Sequence, residues 1–322
     1  MAAGCVIGVD LGGTKLLAGT VDSRLDVHHR AYRLHRPGDA AAVIDQLVEA
    51  IQESIDTATS EVLAVGVGVP ALVDPKTGVA LDSNHLPLHG VNVRDLLAER
   101  LDLPVVVDND ATAAAIGDFW SGVLGTVHAH ATIYMGLGIG AGVVINGTVF
   151  RGASSNAGEI GQVPIATAAD GSLVTIEELA DPWAVVNAAL LSPLDSNRLK
   201  LGDADDFTAF RIITKAALRG DAFATGLLER SARHLATGAT VLANLFDLDS
   251  ITLAGPAFAV AGSLYVRILE QRVNAAFFAR AKHSVRVRLS AHASDAAAVG
   301  AAALVLQTEL APRTMGLTAL EE

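Results

Sequence analysis

The sequence predicts an α/β protein built from two similar halves. Short, nearly all-apolar runs of strand length alternate with longer stretches that are apolar at helical spacing. A glycine-tipped apolar hairpin occurs twice, once within Val6 to Asp22 and again within Ala131 to Ile145, the pattern of a duplicated unit. The chain of 322 residues has room for two domains of ordinary size.

In the first half, Val6 to Val9 is an apolar strand that reaches Asp10. Gly12, Gly13, Thr14 and Lys15 form the tip, and Leu16 to Val21 returns. Val27 to Leu34 reads as a third strand. Residues 39–60 read as a helix, because Ile44, Leu47, Val48, Ile51 and Ile55 share one face. Val62 to Val69 is a buried strand stopped by Pro70, and residues 92–101 form a short amphipathic helix. Residues 104–107 form a strand that delivers Asp108, Asn109 and Asp110 to the start of a helix over 111–120.

The second half opens with a strand at Ala131 to Met135, a tip at Gly136, Leu137, Gly138, Ile139 and Gly140, and a return at Val143 to Ile145. Asn146-Gly147 then turns the chain into Thr148 to Phe150. Residues 154–165 are a glycine-containing loop carrying Glu159, and residues 172–189 read as one helix with Glu177 and Glu178 near its start. Helices dominate residues 205–245. A strand at Ser250 to Ala254 ends at Gly255-Pro256, a helix follows over 261–281, then a strand at Val285 to Leu289 and a last helix over 296–310.

Composition excludes several classes. The net charge of −12 and the absence of a Lys/Arg cluster argue against nucleic acid or an anionic membrane as partner. The single Cys5 rules out an internal disulfide and a cysteine zinc cluster, so the cytoplasm is expected. Residues 119–150 hold no Asp, Glu, Lys or Arg, but the glycines, His128, His130 and Asn146 mark them as buried strands rather than a membrane span. No signal peptide is expected either.

The candidate chemistry lies at the tips and strand ends. Glycines at a hairpin tip let backbone N–H groups converge on phosphate oxygens, and Asp10 could hold Mg²⁺ directly or through water. A plain Gly-Gly hairpin turn is the competing reading. The first tip is not a P-loop, because G-x-x-x-x-G-K-[ST] cannot be fitted to it and a strand follows. Residues 136–141 match a dinucleotide fingerprint in letters only, since a strand rather than a helix follows. Asn109 and Asp110 sit where open α/β sheets bind ligands, although Asp110 could equally be an N-cap. Glu177 and Glu178 could merely complement a helix dipole. His128 and His130 could bind metal in principle, but a structural role is favoured because no third ligand is near.

Four motifs in order, Asp10-x-Gly-Gly-Thr14-Lys15, Val107-Asp-Asn-Asp110-Ala, Gly136-x-Gly138-x-Gly140 and Ala157-Gly-Glu159-Ile-Gly161, resemble those of the ROK family of sugar kinases, open reading frames and repressors. The resemblance is to its glucokinase-like kinases, and it implies the actin-like ATPase (ribonuclease H-like) fold, two α/β domains around a cleft. Residues 1–117 with the last helix would form one domain and residues 118–295 the other. By motif position, Asp110 would be the general base, with Asn109, Glu159, Gln162, Glu177 and His85 on the sugar. Gly12, Gly13, Thr14, Lys15, Gly136, Leu137, Gly138 and Gly255 would hold ATP, and Asp10 would hold Mg²⁺. A homodimer is implied as well.

Departures from the family pattern sharpen the expectation. The family's zinc-linked His is Gln162 and its zinc-binding cysteines are missing, so no zinc is expected. The Thr of its Gly-Thr-Gly is Leu137, its second adenosine-site glycine is Pro256, and His85 stands for a loop Asn. With a strand beginning by Val6, the helix-turn-helix of ROK repressors is not expected. The expected activity is an ATP-dependent kinase acting on the 6-hydroxyl of a hexose or aminohexose. The alternatives are a degenerate sugar-binding regulator and a polyphosphate-dependent glucokinase.

Overall fold

The computed structural model describes residues 4–308 except 14, 37, 84, 85, 123, 125, 126 and 203. Two five-stranded sheets dominate it. The first runs in the order Val27–Leu34, Lys15–Val21, Cys5–Leu11, Val62–Val69, Val105–Asn109. The second runs Thr148–Val149, Ile139–Ile145, Ala129–Met135, Ser250–Ala254, Arg286–Leu289. In both, three antiparallel strands lead to two that lie parallel to the first, so the echo between the hairpins extends to every strand of the sheet.

Sequence explains this layout locally. Strands Cys5–Leu11 and Ala129–Met135 are buried along their whole length, which is why they read as continuous apolar runs. Strand Val27–Leu34 is an edge and alternates, with His28, Arg30, Tyr32 and Leu34 facing away from the buried Ala31. The first hairpin pairs Leu11 with Leu16 and closes with the Gly12 N–H donating to the Lys15 carbonyl at 2.7 Å. In the second, Met135 pairs with Ile139, so the turn is only Gly136 to Gly138 and Gly140 already belongs to the returning strand.

One core lies between the first sheet and helix Ala40–Asp56, whose N-terminus Asp39 caps by accepting the Ala42 N–H. A larger core lies between the second sheet and helices Asp206–Leu218, Ala222–Phe246 and Pro256–Ala276. The final helix, Ala296–Thr308, lies across the first sheet at almost no separation. A Cβ added to Gly8 would fall 2.1 Å from the Ala298 carbonyl oxygen, and one on Gly66 2.1 Å from that of Ala301. Helix Asp110–Trp120 is wedged between this helix and strand Ile139–Ile145, where a Cβ on Gly142 would fall 2.6 Å from the Ala111 carbonyl oxygen.

Two expected helices differ. Residues 172–189 are not one helix: strand Leu173–Thr175 leads into Ile176–Ala180, and a second helix, Pro182–Leu190, follows. Pro182 offers no N–H and holds Asp181 extended, so Asp181 ends one helix and caps the next. The helix expected over 261–281 runs Pro256–Ala276, because Gly255-Pro256 begins it instead of merely ending the strand. Among the described residues no helix is long and apolar enough to cross a membrane.

Candidate active site

A cavity of about 350 Å³ lies where the parallel strands of both sheets end. Asp10, Gly12, Gly13, Lys15, Asn109, Asp110, Gly136, Leu137, Gly138, Glu159, Gln162 and Glu177 all line it. Thr14 and His85 lie outside the described residues. The fold therefore gathers into one cleft residues that the sequence scatters over nearly 170 positions, from Asp10 to Glu177.

Asp110 begins helix Asp110–Trp120 directly beyond strand Val105–Asn109. Capping falls to its neighbour: Asn109 Oδ1 accepts the Thr112 N–H at 3.0 Å, while its Nδ2 donates to the Ala71 carbonyl at 3.2 Å. The Asp110 carboxylate accepts the adjacent Ala111 N–H at 2.8 Å and faces the cavity. Burial, then the charge of Asp10, pushes the Asp110 carboxyl well above the usual carboxylate range. Behind it, Arg151, just beyond strand Thr148–Val149, pairs with the buried Asp108 at 2.7 Å and pins the strand end.

The loop bearing Glu159 docks on the second hairpin through glycine. Gly158 has φ +108, and a Cβ there would sit 1.8 Å from the Ala141 carbonyl oxygen, so only glycine lets its own carbonyl accept the Ala141 N–H at 2.8 Å. Glu159 keeps open surface, yet the enclosing cleft, and then the charge of Glu177, raise its pKa. Glu177 is committed on both oxygens: Oε2 accepts the Ile139 N–H at 2.7 Å and Oε1 accepts Gln162 Nε2 at 3.0 Å. Glu178 instead completes a capping box with Thr175 and is not among the residues that line the cavity.

On the opposite wall, Asp10 is 2% exposed and its Oδ2 accepts the Tyr134 hydroxyl at 2.9 Å. Its Oδ1 is buried without a partner. Burial raises the Asp10 pKa, and the nearby Lys15 charge and the Tyr134 hydroxyl oppose that rise. Sequence reading missed Tyr134 because it looks like one more apolar member of a buried strand. Pro256, expected at an adenosine-site position, lines the cavity too, whereas Asp82, Ser83 and Phe207 also line it and were missed, all lying outside recognisable motifs.

Leu137 presents an apolar side chain to the cavity between Gly136 and Gly138. Gly255 stands behind the wall rather than in it. Its φ of +102 and the 2.6 Å that would separate a Cβ from the Met135 carbonyl oxygen make it a close-packing glycine, while Pro256 reaches the surface. His130 is structural: it bonds to Ser250 at 2.7 Å and Thr132 at 2.9 Å, and burial pushes its pKa down to about 3. Thr132, Thr252 and Ser290 donate to Asp118, anchoring the far end of the helix that begins at Asp110.

Two sheets of identical strand order, closing on a cleft of carboxylates and glycine tips, define a protein of the actin-like ATPase fold. Within that class the chain belongs to the ROK family, whose model matches residues 6–308. A glucokinase from Halalkalibacterium halodurans is 25% identical over 322 residues, covering 94% of this chain and 95% of the relative. A xylose repressor from Caldicellulosiruptor bescii is 26% identical over 318 residues, covering 95% of this chain and 79% of the relative. The crystal structure of a ROK family glucokinase from Streptomyces griseus in complex with glucose and AMPPNP superposes with a TM-score of 0.84 at 28% identity, covering 94% of this chain and 100% of that one.

Proposed function

We propose that this protein is an ATP-dependent kinase that phosphorylates the 6-hydroxyl of a hexose or aminohexose, with Asp110 as general base. The carrying observation is that Asn109 takes over the helix cap, which leaves the Asp110 carboxylate facing a cavity walled by both glycine tips. In the reaction the sugar hydroxyl oxygen attacks the γ-phosphorus, ADP departs, and the hydroxyl proton passes to Asp110. A carboxylate suits a step in which alignment matters more than basicity. Asn109, Glu159, Gln162 and Glu177 orient the remaining sugar hydroxyls, a role proposed for His85 as well.

Residues 1–117 with the final helix form one jaw, and residues 118–295 the other. Gly12 to Lys15 and Gly136 to Gly138 hold phosphates from the two sides, with Gly255 and Pro256 behind the second tip. The unpartnered, buried Asp10 Oδ1 fits a hard divalent cation. No three acidic or histidine side chains converge among the described residues, so Mg²⁺ would be shared between Asp10, water and phosphate oxygens. When bound, the cation neutralises charge on the transferring phosphoryl group.

A second reading, a sugar-binding regulator without phosphotransfer, draws support from Leu137 in the cleft and from the similarity to a xylose repressor. An ADP-release assay over hexoses and aminohexoses, run with ATP and in parallel with polyphosphate as donor, separates the two. Sugar-dependent turnover supports the kinase. Sugar binding by calorimetry with no turnover from either donor refutes it in favour of the regulator.

A further inference from the structure

Tyr134 stands on the central strand of the second sheet, next to its glycine tip, whereas Asp10 is the last residue but one of strand Cys5–Leu11 in the other sheet. No backbone pairing joins the two sheets among the described residues, so the hydroxyl-to-carboxylate bond of 2.9 Å crosses the cleft. Both side chains are buried, Tyr134 at 5% and Asp10 at 2% exposure. The tyrosine ring lies in a nest of alanines, with Ala111 and Ala114 from the Asp110 helix, Ala254 from the second sheet, and Ala296 and Ala297 from the final helix. These small residues leave room for one large ring at the seam between the halves.

We propose that Tyr134 is a positioning residue: its hydroxyl ties the two jaws together through Asp10 Oδ2 and so fixes the orientation of Oδ1. A buried carboxylate with one oxygen held by a donor cannot rotate freely, and its other oxygen, buried and without a partner, is left with its lone pairs unused. A plain space-filling tyrosine would need the ring but not the hydroxyl. The cation part of this inference rests on the kinase reading; the tie itself does not.

The test uses hydrogen exchange on the ligand-free full chain for the wild type, Tyr134→Phe, Asp10→Ala and the double variant. Tyr134→Phe keeps the ring in its alanine nest, and Asp10→Ala breaks the same bond from the other side. Each single variant is expected to speed exchange at residues 10–16 and 134–140 roughly tenfold or more, the scale of losing a hydrogen bond to a charged group. The double variant is expected to add little to either single one. Exchange in Tyr134→Phe within twofold of wild type, or additive single effects, would overturn the tie. A calorimetric titration of Mg²⁺ into protein with AMPPNP adds the second arm, in which Tyr134→Phe is expected to need about tenfold more Mg²⁺. An unchanged Mg²⁺ requirement overturns the positioning of Oδ1. Failure of the wild type to bind Mg²⁺ and AMPPNP overturns the kinase reading instead, and the exchange comparison still decides the tie.

Discussion

The Glu177 carboxylate accepts the Ile139 N–H at 2.7 Å, joining the short helix Ile176–Ala180 to the strand that leaves the second glycine tip. A glutamate in a first helical turn would ordinarily serve the helix dipole. Here one oxygen accepts from the strand that leaves the tip and the other from Gln162, so Glu177 joins two walls of the cleft. Glu177→Ala leaves the Ile139 N–H unpaired and is expected to cost about 1–3 kcal/mol in denaturant unfolding. It is also expected to weaken sugar binding at least tenfold by calorimetry. The stability loss without any change in sugar affinity would assign Glu177 to the scaffold alone.

Asp110 should cost stability in the ligand-free protein. Its folded pKa is raised by burial and by Asp10, above an unfolded value of about 3.9. The sign follows: the fold favours the protonated carboxyl, that advantage is complete below the unfolded pKa, and it is lost as pH rises through the folded pKa. Asp110→Asn, neutral throughout, is therefore expected to melt a few degrees above wild type at pH 7 and level with it near pH 4. Melting curves across that range check this, and a wild type at least as stable at pH 7 would contradict it.

Gly300 shows how tightly the final helix is set. A Cβ there would lie 1.7 Å from the Ala113 carbonyl oxygen, in the first turn of the helix that starts at Asp110. Gly300→Ala is expected to cost about 3 kcal/mol or more, because backbone on a packed helix cannot step aside cheaply. Chemical denaturation measures it. A loss under about 0.5 kcal/mol, the range of a neutral surface change, would mean that the helices separate easily.

Leu137 tests whether the second tip limits turnover. Leu137→Thr adds a hydroxyl facing the cavity, and one hydrogen bond to a charged phosphate oxygen corresponds to a gain of up to about tenfold in kcat/KM for ATP. Sugar KM should stay level. An unchanged or reduced kcat/KM for ATP would show that the tip works without a hydroxyl.

Much of this architecture was legible in the residues. Strands Val62–Val69 and Ser250–Ala254 fall where their apolar runs begin and end, since burial on both faces leaves a strong and continuous signal. The glycine tips marked the walls of the cleft, because a backbone brought close to a ligand tolerates few other residues. Gly255-Pro256 misled, because the same pair can close a strand or open a helix, and local chemistry does not choose. The Asn109 cap was hidden for a similar reason, as two adjacent residues with equal capping ability compete for one N–H. Tyr134 could not be read at all: its partner is 124 positions away, and no spacing rule connects them.

The most direct measurement of the central claim is ³¹P NMR of product formed from ATP and the best sugar of the panel, for wild type and Asp110→Asn under identical conditions. The kinase reading predicts one sugar phosphate per ADP in the wild type. In the variant the rate should fall by roughly 10²–10⁴, the contribution expected of a positioned base, while calorimetric sugar affinity changes little. A wild type that binds sugar but forms no sugar phosphate, or a variant within tenfold of wild type, would contradict it.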